Sequence, residues 1–182
     1  QFQLAKQKIK IAPLVNLKEY QRILKCLLCS TADFHVGMLV CSTELATLPF
    51  QVVGAQGRYF ICDVGSLKNP LQVGDEIISF NDKPIKQIIE ELAREEWGPH
   101  ISSTSLGLAE IALTFRTGLS AHKVPSGPVT IAVKHQKTGL TKNYELTWDY
   151  FPEKIPQIFL QLSSGHHKIP YGYQKPSKPR KK

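Results

Sequence analysis

Between Leu71 and Leu92 the sequence changes its period, and that change constrains the fold more than any other feature of the chain. Leu71-Gln72-Val73-Gly74-Asp75 ends in a pair suited to a tight turn, Glu76 to Phe80 reads as a strand, and Asn81-Asp82 supplies a second turn. From Ile85 onward the apolar residues Ile85, Ile88, Ile89 and Leu92 recur at helical spacing, and Gly98-Pro99 stops that helix after Trp97. A strand handed by a turn directly to an amphipathic helix requires a sheet against which the helix can lie.

Other runs supply that sheet. Phe50 to Val53 and Tyr59 to Val64 are rich in β-branched and aromatic residues and flank Gly54-Ala55-Gln56-Gly57, which predicts a hairpin. Val129 to Lys134 and Tyr144 to Tyr150 alternate around Lys137-Thr138-Gly139, which predicts a second. Met38 to Cys41 reads as a further short strand. Leu108, Ile111, Ala112 and Phe115 predict a short helix capped by Ser105 and ended by Gly118. Near the start, Asn16 and Glu19 have capping-box spacing, and Leu17, Tyr20, Ile23, Leu24, Leu27 and Leu28 share one helical face up to about Ser30. Nothing else in the first 40 residues covers that face. The fold class is therefore α+β: an N-terminal amphipathic helix, an antiparallel β domain with inserted helices, and an extended tail.

A formal net charge of +8 invites a polyanion partner, so the position of the charge matters. Residues 1–15 and 168–182 hold nine of the 23 basic residues and no acid, leaving 14 bases against 15 acids in the rest. The body is nearly neutral, so neither nucleic acid nor a membrane is an expected partner. No apolar run approaches the roughly 18 to 20 residues needed to cross a bilayer. Beyond Phe151-Pro152 the chain is rich in Pro and Lys and reads as an extended tail.

Four cysteines, Cys26, Cys29, Cys41 and Cys62, allow two disulfides or a zinc site, but their spacing favours neither, and the redox compartment stays open. Cys26 and Cys29 fall one turn apart in the first helix, where small apolar packing is the simpler reading. His166-His167 is too isolated a pair to imply a metal, and no cofactor is expected.

The stretch Val73-Gly74-Asp75-Glu76-Ile77-Ile78-Ser79-Phe80-Asn81-Asp82-Lys83-Pro84-Ile85 resembles the signature of bacterial PDZ domains. Such domains add an extended peptide to a sheet edge and read its side chains against a helix. The resemblance implies peptide-binding positions on the helix, for which Ile85, Ile88, Ile89 and Leu92 are the candidates, although core packing alone would also place apolar residues there. An extra helix within residues 98–123 exceeds what a minimal PDZ domain needs at this point and is expected to cover or alter the groove.

Asp33-Phe34-His35 ahead of this body adds chemistry. The order of helix, Asp33-Phe34-His35-Val36-Gly37, PDZ-like body, His122-Lys123-Val124-Pro125-Ser126-Gly127 and a hairpin ending Trp148-Asp149-Tyr150-Phe151-Pro152-Glu153 resembles the N-terminal part of the chlamydial protease-like activity factor family. These are serine proteases of the tail-specific, carboxy-terminal processing class, and the likeness spans about residues 17–155. It implies a Ser-His-Glu triad in which His35 is the general base, taking the Ser proton and returning it to the leaving amine.

The 30 residues after Pro152 are too few for a lobe bearing the nucleophile and the Glu. Ser30, Ser102, Ser103 and Ser105 lack the setting of a nucleophile elbow. The chain is thus expected to be the His-bearing, PDZ-like portion of a serine endopeptidase, as a fragment, a processed product or a truncated gene product. Residues 1–40 would belong to the protease lobe, 41–151 to the PDZ-like domain and 152–182 to the tail. Expected partners are a protein or peptide substrate, the missing catalytic lobe and, in a homodimer, a second copy. The family likeness implies secretion from a bacterium into a host cell. The competing reading is a stand-alone peptide-binding module in which His35 has no catalytic part.

Overall fold

The computed structural model describes residues 17–31, 33, 36–65, 70–121 and 123–154, together with the isolated positions 3 and 6. The expected cap at Asn16, the residues Phe34, His35 and His122, and the tail from Ile155 onward lie outside the described residues. The elements run α1 (Leu17–Cys29), β1 (Leu45–Thr47), β2 (Phe50–Ala55), β3 (Arg58–Val64), β4 (Glu76–Phe80), β5 (Lys83–Pro84), α2 (Ile85–Trp97), α3 (Ser103–Thr114), β6 (Phe115–Thr117), β7 (Gly127–Lys134) and β8 (Thr141–Phe151), with a 3₁₀ turn at Gly118–Ser120. The α+β class and the PDZ-like antiparallel body are both present.

All the strand pairings are antiparallel, in the order β2-β3-β4-β7-β8-β1-β6, with β5 added to β4. Local chemistry explains the sharp corners. Gln56 and Gly57 carry φ of 53° and 74°, and Asn81 and Asp82 carry 47° and 61°. Two successive positive φ values make the primed turn that matches strand twist, and Asn, Asp and Gly adopt it at least cost. Asn81 also bonds Thr130 of β7 twice, through its backbone N–H to the carbonyl at 2.8 Å and its side-chain oxygen from the N–H at 3.1 Å. The turn is thereby fastened to the middle of the sheet. Strand β8 is long because it serves two neighbours: Thr141 to Trp148 pair with β7, and Asp149 to Phe151 with β1.

The core lies under the sheet. Ile61, Ile77, Val129, Ile131 and Val133 point inward from the strands, and Ile89, Ala93, Ala109 and Leu113 close over them from α2 and α3, each 1% exposed or less. Burial of such side chains contributes roughly 1.5–3 kcal/mol each for the larger ones.

Two expectations are corrected. Met38 to Cys41 forms no strand; the segment is irregular and is held by the Val40 N–H, which donates to the Leu119 carbonyl at 2.7 Å. The second inserted helix starts earlier and ends earlier than its periodicity suggests. Ser102 is its cap, accepting from the Ser105 N–H at 3.1 Å, while the Ser105 hydroxyl accepts from the Ser102 N–H at 2.8 Å. Ser105 is thus the answering half of a capping box, and Phe115 to Thr117 leave the helix to pair with β1.

Candidate functional site

A sheet edge recruits a peptide when its strand has an open side and a helix flanks it. Strand β2 pairs with β3 alone, which makes it an edge of the sheet. Helix α2 follows the turn as expected, and its four candidate residues divide. Ile85, Ile89 and Leu92 are 7%, 0% and 6% exposed and belong to the core, whereas Ile88 is partly buried against the core's margin.

Helix α3 then packs against both α2 and β2. Its end is tied to the start of the edge strand by the Leu48 N–H, which donates to the Thr114 carbonyl at 2.8 Å. Its middle lies so close to β2 that a Cβ at Gly54 would meet the Glu110 carboxylate. The inserted helix therefore lies against the face of β2 that carries Phe50, Val52 and Gly54.

The segment leading to His35 is anchored on both sides. On the helix side, Glu96 of α2 is 4% exposed and holds Lys25 of α1 at 3.2 Å and Arg116 of β6 at 3.4 Å. Burial pulls the Lys25 ammonium down to about 8, against the opposing fields of Cys29 and Glu95. Desolvation likewise raises the Cys29 thiol, which donates to the Glu96 carbonyl at 3.4 Å. Gly98, with φ of 92°, lets the last turn of α1 approach closely, since a Cβ there would strike the Cys29 carbonyl. The like charges of Lys25 and Arg116 could not share this space without Glu96.

On the body side, the Gly118 N–H donates to the Glu44 carbonyl at 2.8 Å, continuing the contact made by Val40. Glu44, itself buried, accepts from the Tyr150 hydroxyl at 2.6 Å and pairs with Lys18 at 2.5 Å. Glu153 then closes the loop, accepting from the Ser42 hydroxyl at 2.5 Å and the Thr43 N–H at 2.7 Å. Those bonds hold its carboxyl below the usual carboxylate range. The entry to the β body and the exit after β8 are thus clasped together.

Three of the serines singled out by sequence, Ser30, Ser102 and Ser105, are engaged in helix ends. The Ser30 hydroxyl donates to the Leu27 carbonyl at 2.6 Å, and Ser102 and Ser105 cap α3. Among the described residues, no three His, Cys, Asp or Glu side chains gather as metal ligands.

Sequence reasoning missed one polar chain. His135 lies between Asp75, 2.8 Å from Nδ1, and the Tyr144 hydroxyl, 2.5 Å from Nε2. Asp75 is 2% exposed and also accepts from the Gln72 and Gln136 N–H groups, both at 3.0 Å. The only signal was a His directly after β7 with a Tyr in the partner strand β8. This group welds the Gly74-Asp75 turn to the last hairpin, which is a structural task.

Residues 44–155 match the family model of the PDZ domain. An uncharacterized protein of Chlamydia muridarum is 29% identical over 160 residues, covering 85% of this chain and 25% of that protein. A protein of Chlamydia trachomatis serovar D is 27% identical over the same length, with the same coverage. The chain spans about a quarter of the length of these curated relatives. Among solved structures, mature CPAF matches with a TM-score of 0.76 and 25% identity, over 87% of this chain and 30% of that one. Mature CPAF in complex with lactacystin matches with a TM-score of 0.75, over 88% of this chain and 30% of that one. By its match to the PDZ model the chain belongs to the PDZ domain family, and its fold resembles part of the chlamydial protease-like activity factor (CPAF).

Proposed function

We propose that this chain is the His-bearing, PDZ-like portion of a serine endopeptidase that cleaves protein substrates when joined to a lobe carrying the Ser and Glu of a triad. The likeness to mature CPAF across 87% of the chain carries the reading. In it, His35 is the general base; in sequence it stands between α1, anchored through Glu96, and residues 40–44, anchored against Gly118 and Leu119. A general base is effective only when it is held within hydrogen-bond reach of the hydroxyl it deprotonates. Secretion into a host cell and pairing with a second copy belong to the same proposal.

The PDZ-like part has a narrower role in this reading. Ile85, Ile89 and Leu92 set the position of α2, and Ile88 is the one of the four candidates that would touch a peptide. The second reading, a stand-alone module that captures peptides by strand addition, would use the open edge of β2.

The test is cleavage of an unfolded protein by this chain mixed with the Ser/Glu-bearing lobe, with and without His35→Ala. Cleavage that needs both parts and disappears in the variant supports the proposal. Cleavage that survives His35→Ala, or a mixture that never cleaves, overturns it.

A further inference from the structure

Helix α3 and strand β6 carry an apolar surface that the body leaves open. Leu108 and Ile111 stand three residues apart on one side of α3, and Phe115 follows four residues on, where the helix gives way to β6. All three are exposed, Ile111 most of all at 59%. Across the neighbouring strands Thr117 pairs with Leu45 and Leu45 with Phe151, and alternation puts Phe115 on the same face as these three. The opposite face carries Ala46, which is fully buried, so Phe115 and the exposed Phe151 stand on the outer face. Single exposed apolar residues are ordinary, whereas a run of them on one side marks a surface that something covers.

The chain itself leaves the body beside this surface. The Lys154 N–H donates to the Thr43 hydroxyl at 2.6 Å, and the Lys154 carbonyl lies 2.9 Å from the same oxygen. Next to Thr43, the Glu44 carbonyl accepts from the Gly118 N–H at 2.8 Å, and a Cβ at Gly118 would strike the Ser42 hydroxyl. The exit at Lys154 is therefore fixed close to the end of β6. Between Lys154 and Lys168 the sequence has no Asp, Glu, Lys or Arg, and Ile155, Ile158, Phe159 and Leu162 recur at the spacing of a single apolar face. Such a stretch can be withdrawn from water without stranding a charge.

We propose that residues 155–162 of this chain fold back over α3 and β6 and cover the surface formed by Ile111, Phe115 and Phe151. The reach is sufficient. From β8 to β6 is two strand spacings, about 10 Å, and from Thr117 back to Ile111 the path adds about 13 Å, whereas eight residues extend to about 26 Å. A segment tethered beside its site also competes at an effective concentration in the mM range, so it fills the surface ahead of a separate partner of equal affinity. This contact is independent of any protease activity.

The test is the rate of chymotryptic cleavage after Phe159 in the whole chain, compared between the native protein and Ile111→Asp/Phe115→Asp, whose residues 155–182 are unchanged. Cleavage tracks the population of the undocked form, so the variant should be cut about tenfold faster or more. Equal rates, in a variant whose far-UV circular dichroism and Tm match the native chain, overturn the proposal. Should the variant fail to fold, p-benzoylphenylalanine in place of Phe115 keeps an aromatic at that position and carries the test. On irradiation of the whole chain it must form an intramolecular link that maps to residues 155–162. A link to a second copy, a link to any other segment, or no link overturns the proposal.

Discussion

The carboxylate of Glu110 on α3 lies directly over the Cα of Gly54 on the edge strand β2, close enough that a Cβ at position 54 would meet it. A helix thus packs on the face of an edge strand at a position that only a residue without a Cβ allows.

Gly54→Ala tests this contact. The substitution relieves the entropy cost of glycine in a strand, about 0.5–1 kcal/mol, but forces the Glu110 side chain aside. The single change should be nearly neutral in urea unfolding. Combined with Glu110→Ala it should stabilise by about 0.5–1 kcal/mol, giving a non-zero coupling in the double-mutant cycle. Strict additivity would show that α3 does not sit on β2.

Removing the charge at the α1–α2 junction should be costly. Glu96→Leu leaves Lys25 and Arg116 as buried cations that have lost a shared partner. A loss of about 3–5 kcal/mol is expected, the usual penalty for breaking a buried pair from one side. Denaturant unfolding measures it, and a loss below about 1 kcal/mol would mean the junction opens to solvent.

Lys25 also gives a pH signature. Burial lowers its pKa from 10.5 in the unfolded chain to about 8, so between those values the unfolded state holds the proton more often than the folded state. Stability contributed by this group therefore rises as the pH rises through that window. Wild type should gain on Lys25→Met between pH 8 and 10.5; a constant difference across the window would contradict it.

At Glu153 the sign reverses. Its depressed carboxyl contributes stability that is complete above the unfolded pKa of 4.5 and lost as the pH falls through the lower folded value. Amide exchange at Thr43 and Lys154 should quicken in acid, and Glu153→Gln should show the quicker rate already at neutral pH. Equal rates in the two proteins at neutral pH would remove Glu153 from the clasp.

The polar chain at Asp75 makes the last prediction. His135→Ala leaves a buried carboxylate and the Tyr144 hydroxyl each short of a partner, costing about 1–3 kcal/mol, whereas Tyr144→Phe should cost no more than about 1.5. Thermal or urea unfolding ranks them, and the reverse order would show that His135 is held mainly by Tyr144.

Much of the body was legible before any coordinates. The hairpins at Phe50–Val64 and Gly127–Phe151 and the Gly74-Asp75 and Asn81-Asp82 turns lie where their residues placed them, because turn chemistry and strand alternation act over a few neighbours. Helix α3 was harder. Its apolar residues surround it, so periodicity selected Leu108, Ile111 and Phe115, which are 37%, 59% and 46% exposed, while Ala109 and Leu113 are the buried face. A helix that is apolar on all sides carries no record of which side is covered.

Sequence alone determined where the two hairpins and their neighbouring turns fall, that residues 85–97 are helix, and that the positive charge belongs to the two ends rather than the body. Only the tertiary structure decided that α3 lies along β2, that Glu96 gathers cations from two distant segments, and that His135 joins Asp75 to Tyr144. The division has one physical cause. Turns and periodicity arise from forces between near neighbours, which the sequence displays directly, whereas a shared buried carboxylate or a helix packed on a strand depends on surfaces that meet only when the chain has folded.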